Sequence, residues 1–234
     1  MSTPLKLGSY VLGLAVVFGG ALGVGKVVGP IGTPPAGHAA MATSRDLGSF
    51  QHLHPVEADG IWSVKLTLPV AGSYRAFADF APTGGSALTL GADLFAAGAY
   101  APKPLPQAAR TATVDGYTVT LDGDLTPGQS SKLTLKVSKD GKPVTDLQPY
   151  LGAYGHLVAL RARDLAYLHV HPDGEPGDGK TKAGPEIVFY AEVSSTGDYR
   201  LFLDFQHEGK VRTADFTAHT AQPATATERE KGEK

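Results

Sequence analysis

Alternation of apolar and polar residues with a period of two is the feature that most constrains the fold of this chain. It is clearest where every second residue is apolar from Trp62 to Leu68, from Tyr117 to Leu121 and from Leu133 to Val137. Turn dipeptides such as Asp-Gly follow these runs, and no segment after residue 31 has a helical period. The pattern predicts an all-β protein, an immunoglobulin-like or cupredoxin-like β-sandwich.

The amino terminus is different, because the residues from Tyr10 to Gly25 form a continuous apolar run that extends further if Lys26 reaches an interface. We expect residues 1–31 to be an N-terminal transmembrane helix that anchors the chain in the cell membrane as a single-pass protein. The C-terminal domain would then be extracytoplasmic. The alternative is a signal peptide, with Lys6 at its start and secretion of the chain after cleavage.

The composition of the chain after residue 31 predicts a linker, two β modules and a tail. Residues 32–44 read as a linker rich in Gly and Pro, and residues 220–234 are polar and predicted to be disordered. Between them we place a partial β module at 45–105 and a complete β-sandwich module at 106–219. The first module has only the linker and the apolar segment ahead of it, so its sheet edges need cover from elsewhere.

Two blocks of sequence occur twice in the same order. AGSYRAFADF (71–80) matches TGDYRLFLDF (196–205), and RDLGSFQHLHP (45–55) matches RDLAYLHVHP (163–172) with one residue inserted. The repeated Arg and Asp look catalytic at first sight. However, alternation puts each Tyr on one face of its strand and the Arg and Asp on the other, so we interpret this motif as core and sheet packing, with the Tyr at a corner.

Histidines are the candidate functional residues. If residues 155–172 form a hairpin whose turn is centred between Ala162 and Arg163, His156 lies opposite His169 and His171 is its diagonal neighbour on the same face. Three imidazoles on one face are a reasonable donor set for Cu(II) or Zn(II).

Further histidines could join or repeat this site. His52 and His54 repeat the H-x-H pattern in the first module, and His38 stands where His156 stands in the second. His207 lies at a tight turn beside Asp204 and Glu208, from which it could reach the hairpin. The plain alternative is that each H-x-H pair is a solvated pair on a strand surface, or a buried pair that anchors the sandwich.

Other functions are excluded by composition and motif. The chain has no cysteine, which rules out disulfides and thiolate ligands. Its formal net charge of −2 lacks the positive charge expected of a nucleic-acid-binding protein. No nucleophile elbow, HExxH or P-loop is present, so we expect no enzymatic activity.

The blocks DLQPYLGAYGHLVALRARDLAYLHVHP and YRLFLDFQHEGKVRTADF resemble actinobacterial membrane-anchored or secreted proteins of unassigned role, some of them labelled heavy-metal-binding. The resemblance covers about residues 45–218 and implies location and architecture more than chemistry.

Taken together, the sequence predicts a membrane-anchored β-sandwich that binds a transition metal, copper or alternatively zinc, through His156, His169 and His171. His52, His54 and His207 are additional candidates. The competing hypothesis is a structural or interaction module at the cell surface whose histidines bind no metal.

Overall fold

A computed structural model describes residues 39–82, 85–170 and 172–220, except for the side chain of His169. The described residues form strands and turns without any helix, which confirms the all-β prediction. Accordingly, this part of the chain has no helix long and apolar enough to cross a membrane. The predicted anchor at 1–31, His38, His171 and nearly all of the predicted tail at 220–234 lie outside the described residues.

Fifteen strands are present in the described residues. The strands before residue 100 are β1 (Ala39–Ser44), β2 (Phe50–Leu53), β3 (Val56–Ala58), β4 (Ile61–Ser63), β5 (Gly72–Phe80) and β6 (Leu88–Ala96). The later strands are β7 (Thr111–Val114), β8 (Tyr117–Asp122), β9 (Ser131–Lys139), β10 (Lys142–Pro143), β11 (His156–Arg161), β12 (Tyr167–Val170), β13 (Glu186–Ala191), β14 (Asp198–His207) and β15 (Lys210–His219).

Contacts between Cα atoms divide the chain into two compact units. Of the described residues, the first comprises 39–41, Leu53–Thr67 and those between Ala76 and Ala92, and it includes the two-stranded β3–β4 hairpin. The second comprises Ala42–His52, Leu68–Arg75 and the described residues from Asp93 onward. The second unit contains all of β7 to β15 and therefore the predicted complete module.

Two sheets of the second unit pack around one core as a β-sandwich. One has the order β10-β9-β8-β7 with β13 also paired to β9, and the other has the order β12-β11-β14-β15. The alternation explains the packing, because every second residue of β8 and β9 is buried, including Val119 and Leu135. They share a core cluster with Phe189 of the same sheet and with Leu201 and Phe205 of the other.

Strand β14 is buried on both faces, unlike β8. Its inner-face residues, which include Leu201, Leu203 and Phe205, belong to the sandwich core. The outer face carries Arg200, Phe202 and Asp204, which are also buried. The guanidinium of Arg200 donates to Thr217 Oγ1 at 3.1 Å and pairs with Asp215 on β15, so its burial is compensated by charge and hydrogen bonding.

A further sheet has the order β2-β1-β5-β6, the same connectivity as β12-β11-β14-β15. Each has a tyrosine near the start of its long strand that closes a corner with the preceding residues. Tyr74 Oη donates to the carbonyl of Val70 at 2.8 Å, and Tyr199 Oη donates to the carbonyl of Ser195 at 3.0 Å. The packing role expected for these tyrosines is confirmed, since both are buried.

Two local expectations differ from the structure. Residues 39–44 were assigned to the linker but form β1, whose small residues fit between the neighbouring strands β2 and β5 and are mostly buried. The alternation from Trp62 to Leu68 predicts a strand, yet β4 ends at Ser63. A period of two indicates only that a segment can be extended, and a strand also needs a neighbour to pair with.

Gly123 offers a test of the packing between β8 and β9. Its φ is +100°, and a Cβ there would collide with the carbonyl oxygen of Lys132. Gly116 also has a positive φ, +82°, but has open space around it. We expect Gly116→Ala to lower the free energy of unfolding by about 1 kcal/mol and Gly123→Ala by about 3 kcal/mol, measured by urea denaturation. Equal losses would contradict the close approach.

Candidate functional site

The predicted hairpin exists, but its register differs from the prediction. His169 pairs with Val158 rather than with His156. The turn is centred between Arg163 and Asp164, because the Leu165 amide donates to the Arg161 carbonyl at 3.0 Å and closes a longer loop. Arg163 and Leu165 both have positive φ, at 88° and 58°.

Asp164 stabilises this loop from within. It accepts a hydrogen bond from Arg161 Nε at 3.0 Å and another from the Ala166 amide at 3.2 Å. The hydrogen bond from Arg161 is the largest cause that lowers the pKa of Asp164 to about 2.

The observed register of the hairpin differs from the predicted register by two residues. A shift of two preserves the alternation of side chains, so positions 156 and 169 still share one face of the hairpin. The side chain of His169 and all of His171 lie outside the described residues, so their part in a site stays a prediction.

His156 lies at the start of β11 on the outer face of the sandwich. Its partner on β14 is Asp204, directly opposite in the antiparallel register. Side chains at such positions have Cβ atoms about 4.5–5.5 Å apart. His156 is 9% exposed and Asp204 is 4% exposed, so a histidine and a carboxylate are buried side by side on this face.

Strand β2 brings a second histidine to the same place. His52 Nδ1 lies 2.7 Å from Asp204 Oδ2, and both side chains are almost fully buried. The other carboxylate oxygen, Asp204 Oδ1, accepts a hydrogen bond of 2.5 Å from the hydroxyl of Thr213. Two residues before His52, the ring of Phe50 stacks on the ring of Phe202 with centroids 4.0 Å apart and planes inclined by 6°. The stacked rings fix the position of β2 on the outer face.

Hydrogen bonding determines which nitrogen of each ring carries a proton. His156 Nε2 lies 2.9 Å from the carbonyl oxygen of Tyr150, and a carbonyl can only accept, so Nε2 donates. His52 Nδ1 donates in the same way to the carboxylate of Asp204. In the neutral state of each ring, the lone pair is therefore on His52 Nε2 and on His156 Nδ1, and both of these atoms are buried.

The aromatic ring of Tyr150 also borders the cluster. It meets the His156 ring edge to face, with centroids 5.9 Å apart. Burial and, secondly, the negative charge of Asp204 raise the pKa of Tyr150, so this phenol stays protonated at neutral pH. Tyr150 thus contributes its carbonyl as an acceptor and its ring as an apolar wall.

The rings of His52 and His156 are neighbours, with centroids 5.8 Å apart and planes inclined by 74°. We call His52, His156 and Asp204 the outer-face cluster. Within the described residues, no group of three or more His, Asp or Glu side chains is arranged to hold a metal ion. Two imidazoles with oriented lone pairs are therefore what the described part of the chain offers, and Asp204 serves as a hydrogen-bond acceptor for His52.

The remaining histidine candidates lie elsewhere. His54 belongs to the first unit, and its Nε2 is buried. His207 lies on the inner face of β14, opposite to Asp204, because the two positions differ by an odd number of residues. Its Nδ1 is 2.7 Å from Tyr117 Oη and its Nε2 is 3.0 Å from Asp146 Oδ1, so a metal at His207 would have to displace one of these partners.

Sequence reasoning missed three features of this site. It noted Asp204 only as a neighbour of His207, although the alternation already places Asp204 on the outer face with Arg200. It did not find the carbonyl of Tyr150, because a backbone acceptor carries no side-chain signal. It also kept His52 in a separate module, and only the packing of β2 brings His52 to Asp204.

Comparisons with known proteins give one match over part of the chain and no activity. Residues 112–222 match the family model of a domain of unknown function, DUF8832. No curated protein matches the chain. The matched segment includes His156 and Asp204 of the outer-face cluster and begins well after His52.

Proposed function

We propose that this protein binds a transition metal, copper(II) in the first place and zinc as the alternative, without catalysing a reaction. His52 and His156 are the ligands supported by geometry, and His169 and His171 are the further ligands proposed from the sequence. We also propose that residues 1–31 anchor the chain in the membrane, with the metal-binding domain outside the cytoplasm. The alternative is that residues 1–31 are a signal peptide and the chain is secreted after its cleavage. The sandwich itself is proposed to be of the immunoglobulin-like type, on the basis of the Tyr199 corner.

The observation that carries the proposal is the way in which the two rings are held. A histidine that ligates a metal usually donates its other N–H to a carboxylate or a backbone carbonyl, which fixes the tautomer and the orientation of the ring. His52 has the carboxylate of Asp204 in that position, and His156 has the carbonyl of Tyr150. Both rings are thereby oriented as ligands are oriented in known metal sites.

The separation of the rings is compatible with a shared ion. Metal–nitrogen bonds of about 2.0–2.1 Å place each ring centre roughly 3.2 Å from the metal. A tetrahedral angle between two such ligands then gives ring centres roughly 5 Å apart. The observed separation of 5.8 Å differs from that value by less than about 1 Å.

Copper is favoured by the ligand type. Imidazole sites bind Cu(II) more tightly than the other divalent ions of the first row, and the chain has no thiolate that would favour Zn(II) or Cu(I). Only neutral imidazole ligates, so binding weakens as the pH falls and protons compete for the ring nitrogens.

A second candidate function is a purely structural or interaction module. It is favoured by the stacking of Phe50 on Phe202 and by the buried pair of His52 and Asp204, which fasten β2 to the sandwich whether or not a metal is present. Most of the exposed large apolar side chains also occur between residues 56 and 100. The experiments below distinguish the two functions.

Calorimetric titration of the purified 234-residue chain with Cu(II) and with Zn(II) tests the metal directly. We expect one strong Cu(II) site in the unaltered chain and a loss of affinity of at least about tenfold in His52→Gln and in His156→Gln, because each variant removes one ligand. His169→Ala and His171→Ala test the ligands proposed from the sequence.

The matched control for this titration is His219→Gln. His219 is an exposed histidine that pairs with Asp198 on the surface, so its loss should leave the affinity unchanged. Circular dichroism verifies that each variant keeps its sheet content. Equal binding by the unaltered chain, His52→Gln and His156→Gln, or no binding at all, would refute the metal proposal and favour the structural module.

Asp204 should act as a positioning residue for the ring of His52. Asp204→Asn keeps the shape but loses the full negative charge of the acceptor, and we expect the affinity for Cu(II) to fall by about 10–100-fold. Asp198→Asn, in the surface pair with His219, is the control and should have no effect. If the Cu(II) signal in electron paramagnetic resonance is identical in Asp204→Asn and the unaltered chain, the positioning role is wrong.

A further inference from the structure

The β6 strand forms an open edge of its sheet. It is nine residues long and stands at the end of the order β2-β1-β5-β6, so among the described residues it has a strand partner on one side only. It is exposed along most of its length, with Leu88 at 46%, Leu90 at 58% and Phe95 at 59% exposure. A long, apolar, unprotected edge is a template for pairing with another strand.

Other edges of the four-stranded sheets are protected. The strands β2 and β12 have only four residues each. Strand β15 is the edge strand equivalent to β6 in the other four-stranded sheet. It carries Lys210 and Arg212. It is also covered near its end, where the Ala109 amide donates to the Thr217 carbonyl at 3.2 Å. Strand β6 contains no Lys, Arg or Pro.

The charged residue of β6 is already paired within the chain. Its one ionisable residue, Asp93, accepts hydrogen bonds from Arg45 at 2.8 Å and from Arg75 at 3.1 Å. The hydrogen bond from Arg75 is the largest cause that lowers the pKa of Asp93. The carboxylate of β6 is therefore bound within its own chain, and the exposed side chains that an approaching strand meets include Leu88, Leu90 and Phe95.

The sequence LTLGADLFA is complementary to itself in one antiparallel register. If two copies pair about a two-fold axis at Ala92, the central residue, all nine residues find a partner. Leu90 then faces Leu94 of the other copy and Leu88 faces Ala96. Asp93 faces Gly91, so the two carboxylates are not opposed.

We propose that β6 is a homodimerisation edge, at which a second copy of this chain pairs antiparallel about Ala92 and joins the two sheets across the axis. The occupant is a second copy because the strand supplies its own apolar partners in register and keeps its charges apart. This interface does not involve His52 or His156, so it stands independently of the metal proposal.

The absence of cysteine permits a sharp test of the register. Residues directly opposite in antiparallel strands have Cα atoms about 4.5 or 5.5 Å apart, and both values are within the range of a disulfide. We expect Ala92→Cys to form a disulfide-linked dimer of the 234-residue chain under mild oxidation. Leu88→Cys is the control, because its copies would be about 27 Å apart along the paired strands and should not cross-link.

Analytical ultracentrifugation of the chain without a cross-link tests the dimer independently of the register. We expect twice the monomer mass at high concentration, and a monomer for Leu90→Lys, which adds a charge to an exposed position of the edge without touching the core. Cross-linking of Leu88→Cys as fast as that of Ala92→Cys would overturn the register. A monomer at all concentrations, with no disulfide in Ala92→Cys, would overturn the dimer.

Discussion

Burial of both faces of β14 is the constraint on which the rest of the structure depends. A strand at the centre of a sandwich sheet usually buries its inner face and leaves its outer face to solvent. Here the outer face carries Arg200 and Asp204, which cost free energy when they are buried unless each finds a partner. Thr217 and Asp215 accept hydrogen bonds from the two terminal nitrogens of Arg200, while Thr213 and His52 bind Asp204. The candidate site is a consequence of that requirement.

The same interactions give the outer-face cluster its chemical character. The low polarity around Asp204 strengthens its hydrogen bond to His52, and the register places His156 beside them without any loop. Ligands on paired strands are held more rigidly than ligands on loops, so little order has to be created when an ion binds. For the metal function proposed above, we therefore expect the cluster to hold an ion in place rather than to present it for reaction.

The sequence was sufficient for the class of fold and for the faces of the strands. Alternation separated Tyr199 from Arg200 correctly, because the side-chain period of a strand is two whatever its partners are. It also identified His156 as a member of a hairpin face. Details that depend on distant segments were not accessible. The pairing of His52 with Asp204 joins residues far apart in the chain, and the hairpin register depends on positive φ at Arg163 and Leu165, which are unusual residues for that conformation.

The stack of Phe50 on Phe202 has a consequence for how the protein can change over evolutionary time. The family match begins at residue 112, so it contains Phe202 but not Phe50, the ring that covers it. A chain reduced to the matched segment would leave the ring of Phe202, which is buried here, without its stacking partner. We therefore expect substitutions at Phe50 and Phe202 to be energetically coupled, because each ring covers the other.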